Sequence, residues 1–494
     1  MSADHDLSAA AVNARLDHPV IDTDGHWLEY GPFVDEELRR IGGDKAAQGF
    51  QFVRAQLQDL LDMSVGARRD RGVSQPGFWV YPTANARDRA TALMPGLLYE
   101  RLDELGIDFG LIYPSIGLGL HRIPDREVRR ATCRAFNTFS AHYFADYADR
   151  LTPAAVIPMV TPDEAVAELE YVTGTLGLKV VKLGSLVPRA IPAVARGYPE
   201  LAGQFGRYDA LGLDSEYDYD PVWAACERLR VSPTFHRGSR GFGLRVSPTN
   251  FVYNHIGHFA AANEALCKAL FLGGVTRRFP TLKFGFLEGG AAWACQLLAD
   301  LVEHWETRSR RGLEATDPAN LDLDAILALA DRYGSANLVA ALRRTGGIFD
   351  GEGSPATGGI ADLDDYARCE IARKTDFLER FVDGFYFGCE ADDRLAAWAF
   401  DRRHNPLGAR LNTLFGSDFG HFDVTDMTHV LPEVYELVED GLITGADFRD
   451  FVFANPVRFH GSANPDFFRG TAVERQAAAL LASDERQPAP AAAG

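Results

Sequence analysis

The sequence has no closely spaced cysteines, no long hydrophobic run and no excess of positive charge. Its cysteines are Cys133, Cys226, Cys267, Cys295, Cys369 and Cys389, and no two of them form a C-x-x-C pair. Disulfide frameworks and cysteine-ligated zinc sites need closer, repeated spacing, so both are excluded. The scatter is typical of reduced, buried thiols in an intracellular protein.

No segment approaches the run of about 20 apolar residues that spans a bilayer. The first eleven residues are polar and include Asp4 and Asp6, so they do not look like a secretory signal. We therefore predict a cytoplasmic protein without a membrane partner.

The charge balance is acidic. The chain has 50 Lys and Arg residues against 69 Asp and Glu residues, which gives a net charge of −19. Nucleic acids and anionic membranes attract basic surfaces, so neither is expected as a partner. A small-molecule substrate is the expected partner, and an acidic one would need only one or two local arginines.

Short runs of β-branched and aromatic residues alternate with amphipathic stretches along the 494 residues, which is typical of βαβ units. The eight predicted strands cover residues 19–24, 107–114, 154–160, 178–183, 231–236, 282–288, 384–390 and 411–418. The pattern predicts an α/β fold, a (β/α)8 TIM-like barrel. The active site of such a barrel lies at the carboxyl ends of the strands.

The predicted barrel occupies residues 18–470, after an N-terminal extension of residues 1–17 and before a tail of residues 471–494. The end of the tail is Ala/Pro-rich and is predicted to be disordered. Two intervals are too long for simple loops: residues 27–99 after strand one, and residues 293–381, helical in pattern, between strands six and seven. Such insertions form lids, extra walls or oligomer contacts. A homo-oligomer is expected, with a hetero-oligomer as the alternative.

Potential metal ligands occur at four predicted strand ends. Asp24 and His26 follow the first strand, and Gly25 between them lets the chain turn. His236 ends strand five, Glu288 ends strand six and Asp418 ends strand eight. Taken alone, each residue is better explained by a loop cap, by packing or by a charge pair, but the four strand ends together predict a divalent metal site.

Several motifs occur in order at barrel-like intervals. They are V-I-D-T-D-G-H, T-F-H, G-G-V-T-R-R-F-P-T-L-K-F-G-F-L-E-G-G, L-F-G-S-D-F-G-H and F-A-N-P-V-R-F-H. From residue 18 to about residue 470, this pattern resembles the amidohydrolase superfamily, in the branch that contains metal-dependent decarboxylases and hydrolases. The resemblance implies that Asp24, His26, His236 and Asp418 bind metal, that Glu288 is a ligand or near one, and that Asp418 acts as general base.

The chain departs from that superfamily at two positions. Asp24 stands where His-x-His is usual, and Glu288 stands where histidine is common. Mixed imidazole and carboxylate sites suit manganese and iron as well as zinc, so the metal (Zn, Mn or Fe) stays open. One metal site is predicted, and a second is an open alternative.

Further candidates lie nearby. His255 and His258 are three residues apart in a stretch with a helical pattern, so both can face one direction. If they face the barrel mouth, they would complete a second metal site or donate protons. If they face elsewhere, they pack the helix against its neighbours and have no catalytic role. His421, three residues after Asp418, is a candidate acid/base group or substrate contact. Lys182 ends strand four, and the resemblance implies a carboxylated lysine that bridges two metals at this position. The alternative is an ordinary ion-pairing lysine.

Glu390 and three arginines are the candidate substrate contacts. Glu390 ends strand seven, and Arg237, Arg240 and Arg245 lie in the Gly-rich loop after His236. A guanidinium group binds a carboxylate bidentately, so one of the three is expected to orient an anionic substrate. The alternative is a solvated basic loop.

Three functions are consistent with these residues. The first is metal-assisted hydrolysis or non-oxidative decarboxylation of a small, carboxylated organic molecule. The second is oxygen activation at a non-haem di-iron or iron–manganese centre. The third is a non-catalytic barrel in a hetero-oligomer, which the retained ligand set argues against.

Overall fold

Eight parallel strands form a barrel in the computed structural model, which describes residues 7–77, 83–201, 206–239, 243–317, 320–346 and 363–484. In chain order the strands are β1 (Ile21–Trp27), β2 (Phe109–Pro114), β3 (Leu151–Ile157), β4 (Val180–Leu183), β5 (Val187–Ala190), β6 (Gly206–Asp209), β7 (Pro233–Phe235), β8 (Phe284–Phe286), β9 (Phe385–Cys389) and β10 (Asn412–Phe415). The barrel order is β1-β2-β3-β4-β7-β8-β9-β10, while β5 and β6 form a separate antiparallel hairpin.

The junction between β1 and β10, here called the seam, closes the barrel through individual hydrogen bonds. The Thr23 hydroxyl donates to the Phe415 carbonyl over 2.6 Å. The amide of Asp418 donates to the carbonyl of Asp24 over 3.0 Å, and the amide of His26 donates to the carbonyl of Phe419 over 2.9 Å. The first and last strands therefore meet where the predicted metal ligands lie.

Helices follow the barrel strands and cover the outside. The α-helices are Ala9–Asn13, Gly31–Asp62, Val65–Arg71, Ala86–Leu93, Pro95–Leu105, Arg126–Tyr143, Pro162–Gly174, Pro192–Gly197, Asp220–Leu229, Phe251–His255, His258–Leu272, Val275–Arg278, Ala292–Arg308, Arg310–Leu313, Leu323–Tyr333, Ala336–Thr345, Val430–Glu439, Gly445–Arg449, Asn455–Gly461 and Glu474–Asp484. After β9 the connection contains a 3-10 helix, Arg394–Phe400, in place of an α-helix.

The barrel predicted from the sequence is confirmed, and each of the eight predicted strands overlaps an observed one. The observed strands are shorter or shifted; the third covers Leu151–Ile157 and so begins and ends three residues before its predicted bounds. Both long insertions contain helices. Gly31–Asp62 follows β1, and Leu323–Tyr333 and Ala336–Thr345 lie between β8 and β9.

Alternation along the strands separates an outer aromatic layer from the barrel interior. Phe284 packs edge-to-face on Trp223 of a surrounding helix, and Phe286 packs likewise on Trp293. Between these two phenylalanines lies Gly285, where a Cβ atom would come within 2.8 Å of the Phe459 ring. The absence of a side chain at Gly285 therefore lets the Phe459 ring, and with it the helix Asn455–Gly461, pack against the barrel.

The chain ends are packed against the barrel where they are described. Ala9 and Val12 of the first helix are buried, as are Ala477 and Leu480 of the last one. The predicted tail therefore begins with a helix, whereas the predicted disorder concerns residues 485–494, outside the described residues. None of the described helices combines the length and apolar character needed to cross a bilayer.

Candidate metal centre

Asp24, His26 and His236, the histidine cluster, meet at the carboxyl end of the barrel. His26 lies within β1, and His236 directly follows β7. Their Nε2 atoms are 3.0 Å apart. Oδ1 of Asp24 lies 3.4 Å from each of these nitrogens. All three residues are buried.

Two further carboxylates approach the same imidazoles. Glu288 Oε2 lies 3.1 Å from His236 Nε2, and Asp418 Oδ1 lies 3.6 Å from His26 Nε2. Both residues have left-handed backbone conformations, with φ of 54° for Glu288 and 51° for Asp418. Left-handed non-glycine residues cost energy and concentrate at functional sites. The strained turns after β8 and β10 place these carboxylates at the centre.

The donor set fits a divalent cation. The ligand atoms of the histidine cluster all lie within 4.8 Å of one another. Two imidazole nitrogens and up to three carboxylate oxygens converge, which is the mixed set that zinc, manganese and iron accept. Desolvation alone would raise the pKa of Asp24, but the imidazoles of His236 and His26 together lower it to about 2. Asp24 is thus an anion at neutral pH, as a ligand must be.

Glu390 joins Glu288 and Asp418 in a second group, the carboxylate cluster, whose ligand oxygens also lie within 4.8 Å of one another. Glu390 directly follows β9, so the three residues come from the ends of neighbouring strands. Burial, together with the charges of Glu288 and Glu390, raises the pKa of Asp418 well above its ordinary value. A cation here would offset that repulsion.

His421 lies between Asp418 and a serine that sequence reasoning missed. His421 Nδ1 is 2.6 Å from Asp418 Oδ1, and its Nε2 is 3.3 Å from the Ser115 hydroxyl. Burial and the nearby His26 and His236 lower the pKa of His421 well below its ordinary value, so the ring is neutral. Ser115 follows β2 directly, and its strand-end position is the signal that could have identified it.

Lys182 is fully buried inside the barrel and faces basic groups. Its Nζ donates to the Leu118 carbonyl over 3.0 Å and lies 3.2 Å from His121 Nδ1. Burial, then the charge of Arg237, lowers the pKa of Lys182 to about 7. No ion pair of Lys182 occurs within the described part of the chain, so the predicted alternative of an ordinary ion-pairing lysine gains no support.

The arginines of the Gly-rich loop lie apart from one another. Arg237 donates from Nη1 to the carbonyls of Ser185 and Leu186, over 2.6 and 2.9 Å. Arg245 donates to the carbonyl of Gly257. Arg240 falls outside the described residues. The two described arginines thus make backbone contacts, and their predicted role toward substrate stays a prediction.

The helical spacing predicted for His255 and His258 is wrong. One helix ends at His255 and the next begins at His258, because Gly257 between them has a left-handed conformation with φ of 69°. The two rings still touch, with centroids 4.6 Å apart. Neither belongs to a potential metal-binding group found among the described residues, so their predicted catalytic role stays untested.

Comparison with known proteins assigns the chain to a family. The family model described as amidohydrolase matches residues 21–339, more than half of the 494 residues. The chain belongs to the amidohydrolase family. The family assignment from the sequence motifs is therefore confirmed.

Solved structures are similar to this amidohydrolase over most of its length. An amidohydrolase from Mycobacterium avium subsp. paratuberculosis is 17% identical, with a TM-score of 0.51, and the match covers 90% of this chain and 100% of that one. A 2,6-dihydroxybenzoate decarboxylase from Rhizobium is 15% identical (TM-score 0.48, 90% and 98% covered). A 5-carboxyvanillate decarboxylase from Novosphingobium aromaticivorans, complexed with manganese and a nitrobenzoic acid, is 13% identical (TM-score 0.46, 90% and 96% covered).

Proposed function

We propose that this amidohydrolase is a metal-dependent enzyme that hydrolyses or non-oxidatively decarboxylates a small, carboxylated organic molecule. One observation carries the proposal: the Nε2 atoms of His26 and His236 face each other at 3.0 Å, with the Asp24 carboxylate 3.4 Å from both. Imidazoles buried in this arrangement, at the carboxyl end of a barrel, form a cation site. Membership of the amidohydrolase family supports the same conclusion.

A divalent cation held by this cluster would act as a Lewis acid that polarises a carbonyl or carboxylate of the substrate. Asp418 is the group best placed to move a proton, because it borders both clusters and contacts His421. The neutral His421 ring orients the Asp418 carboxylate and connects it to the Ser115 hydroxyl. Loss of the His421 ring would therefore disturb the pH dependence of turnover more than the metal content.

Finer features of the proposal rest on the sequence. The acidic composition and the scattered cysteines, which are typical of reduced thiols, support a cytoplasmic location. The helical insertions supply surface for a homo-oligomer. Manganese, zinc and iron all suit the donor set. Oxygen activation and a non-catalytic role gain no support from the family match, and neither is proposed.

The decisive experiment is a metal-reconstitution assay. Protein stripped with a chelator is reloaded separately with Mn²⁺, Zn²⁺ or Fe²⁺ and given two panels, small carboxylic acids and small amides or lactones. Release of CO2 reports decarboxylation, and release of a new acid reports hydrolysis. We expect turnover only after reloading, a loss of about 100-fold or more in Asp418→Asn, and near wild-type activity in Asp392→Asn, its matched control.

Turnover that is unchanged by metal removal, or an Asp418→Asn variant as active as the wild type, would contradict the proposal. Consumption of oxygen in step with product would replace it by the oxygenase alternative.

A further inference from the structure

The turn after β2 is bonded to a buried carboxylate that lies just after β1. β2 ends at Pro114, and the amides of the next three residues all donate to Glu29. Its Oε2 accepts from Ser115 over 3.2 Å and from Ile116 over 2.9 Å, and its Oε1 accepts from Gly117 over 2.7 Å. Glu29 is only 5% exposed. Amides that leave a strand and are shielded from water need another acceptor, so this carboxylate fixes the turn.

The same turn holds Ser115 against the metal centre. The Ser115 hydroxyl donates to the carbonyl of Trp27 over 3.0 Å, and Trp27 directly follows His26 of the histidine cluster in β1. The hydroxyl oxygen also lies 3.3 Å from Nε2 of His421. Ser115 therefore joins the end of β1 to the loop after β10.

His421 is in contact with this serine and with two residues of the metal centre. Its Nδ1 lies 2.6 Å from Oδ1 of Asp418, and its ring stacks on the ring of His26 with centroids 3.9 Å apart. Ser115 faces the other ring nitrogen, Nε2. Contacts at one face and at both nitrogens define a single orientation of the ring. The ring in turn fixes the Asp418 carboxylate.

We propose that Glu29 is a positioning residue for the reaction at this centre, and that it acts through Ser115 and His421 on Asp418. The contacts run from the Glu29 carboxylate to the Ser115 backbone, and from the Ser115 hydroxyl through the His421 ring to the Asp418 carboxylate. Residues that orient the groups around a metal typically change activity by about 10- to 100-fold when they are replaced. The inference rests on the proposed function, in which Asp418 moves a proton.

A kinetic test compares two buried carboxylates that accept backbone amides. Glu29→Gln places an amino group where one oxygen accepts an amide, so the turn loosens. For the substrate that the metal-reconstitution assay identifies, we expect kcat to fall about 10- to 100-fold, with KM and metal content unchanged. Asp376→Asn is the matched control, because Asp376 accepts from the amides of Ala372 and Arg373 but lies on the amino-terminal side of β9. Its kcat should equal that of the wild type.

A spectroscopic test needs no substrate. In protein loaded with Zn²⁺, nitrogen NMR reports the chemical shifts of the His421 ring nitrogens, which are identified by their absence in His421→Gln. We expect these shifts to move in Glu29→Gln and in Ser115→Ala. Ser115→Thr restores a hydroxyl and should bring them back toward the wild-type values. Asp376→Asn should leave them unchanged.

Glu29→Asp keeps the test decisive if Glu29→Gln does not fold. It retains the charge on a shorter side chain, so its kcat and shifts should also depart from the wild type. Wild-type kcat or wild-type His421 shifts in a folded Glu29 variant would overturn the proposal, as would equal changes in Asp376→Asn. If no compound of the two panels is turned over with metal, the proposed function fails, while the nitrogen shifts still decide whether Glu29 positions His421.

Discussion

Asp22 accepts a hydrogen bond of 2.6 Å from the Ser417 hydroxyl and one of 2.9 Å from the Ser417 amide, although the residues are 395 positions apart. The same carboxylate accepts from the amide of Asp24 over 3.1 Å. One side chain thus fixes the backbone beside Asp24 and beside Asp418. Burial, though opposed by the Ser417 hydrogen bonds, raises the pKa of Asp22 to about 6.

Replacing Asp22 should destabilise the fold more than replacing its partner hydroxyl. Asp22→Ala leaves the buried amides of Ser417 and Asp24 without this acceptor, and each such loss costs about 1–3 kcal/mol. Ser417→Ala removes one hydroxyl, which donates to Asp22 and accepts from the Phe419 amide over 3.2 Å, and should cost about 1 kcal/mol. Urea unfolding of the two variants measures the difference, and equal free energies of unfolding would contradict the assigned role.

Metal content should depend on His236 and not on His255. His236→Gln removes an imidazole nitrogen from the histidine cluster, so we expect the affinity for the bound metal to fall by at least about 10- to 100-fold. His255→Gln is the matched control, because His255 lies outside the potential metal-binding groups. Elemental analysis after dialysis distinguishes them. Equal metal loss in both variants would count against the cluster.

His460 should make the fold sensitive to acid. Burial lowers the pKa of His460 to about 3, from 6.5 for a free histidine. Between these values the unfolded chain binds a proton that the folded chain does not. Stability therefore falls as the pH falls through this window, by about 1.4 kcal/mol per pH unit from this residue.

His460→Phe tests this, since the ring already stacks on Phe467 at 4.3 Å between centroids. The free energy of unfolding is measured between about pH 4 and about pH 6.5. Its slope against pH should be smaller in the variant, by the amount that corresponds to one bound proton. Identical slopes in the two proteins would show that His460 is protonated in the folded state.

A glycine pair tests the packing of the insertion after β1. A Cβ atom at Gly49 of the helix Gly31–Asp62 would overlap the Thr132 hydroxyl, which donates to the Ala46 carbonyl. Gly49→Ala should therefore cost about 1–3 kcal/mol. At Gly66, in the helix Val65–Arg71, a Cβ atom would lie 3.9 Å from the nearest atom, so Gly66→Ala should stabilise by about 0.5–1 kcal/mol. Thermal unfolding should move the two midpoints in opposite directions.

The sequence was enough to predict the barrel and the ligand candidates, because both depend on patterns of residues that are close together in the chain. Short apolar runs marked the strands. His236, Glu288 and Asp418 lie just beyond the ends of theirs, whereas Asp24 and His26, predicted at the end of the first strand, lie within β1, which continues to Trp27. Since the carboxyl ends of parallel strands share one face of a barrel, adjacency in space followed from the fold.

The features that the sequence did not reveal depend on backbone conformation and long-range contacts. The break at Gly257 separates His255 from His258, against a hydrophobic pattern that continues through it. The left-handed turns at Glu288 and Asp418 have no signature in residue type. The contact of Ser115 with His421 joins the ends of β2 and β10 and exists only once the barrel has closed.

The seam gives the metal centre a mechanical role. Asp24 and Asp418 lie on opposite sides of it, and the hydrogen bonds that join β1 to β10 are few. A cation bound to both carboxylates would link the first and last strands of the barrel and so stabilise its closure. Amide hydrogen exchange should therefore be slowed at His26 and Asp418 when metal binds, while amides in the middle of β3 and β4 exchange at unchanged rates.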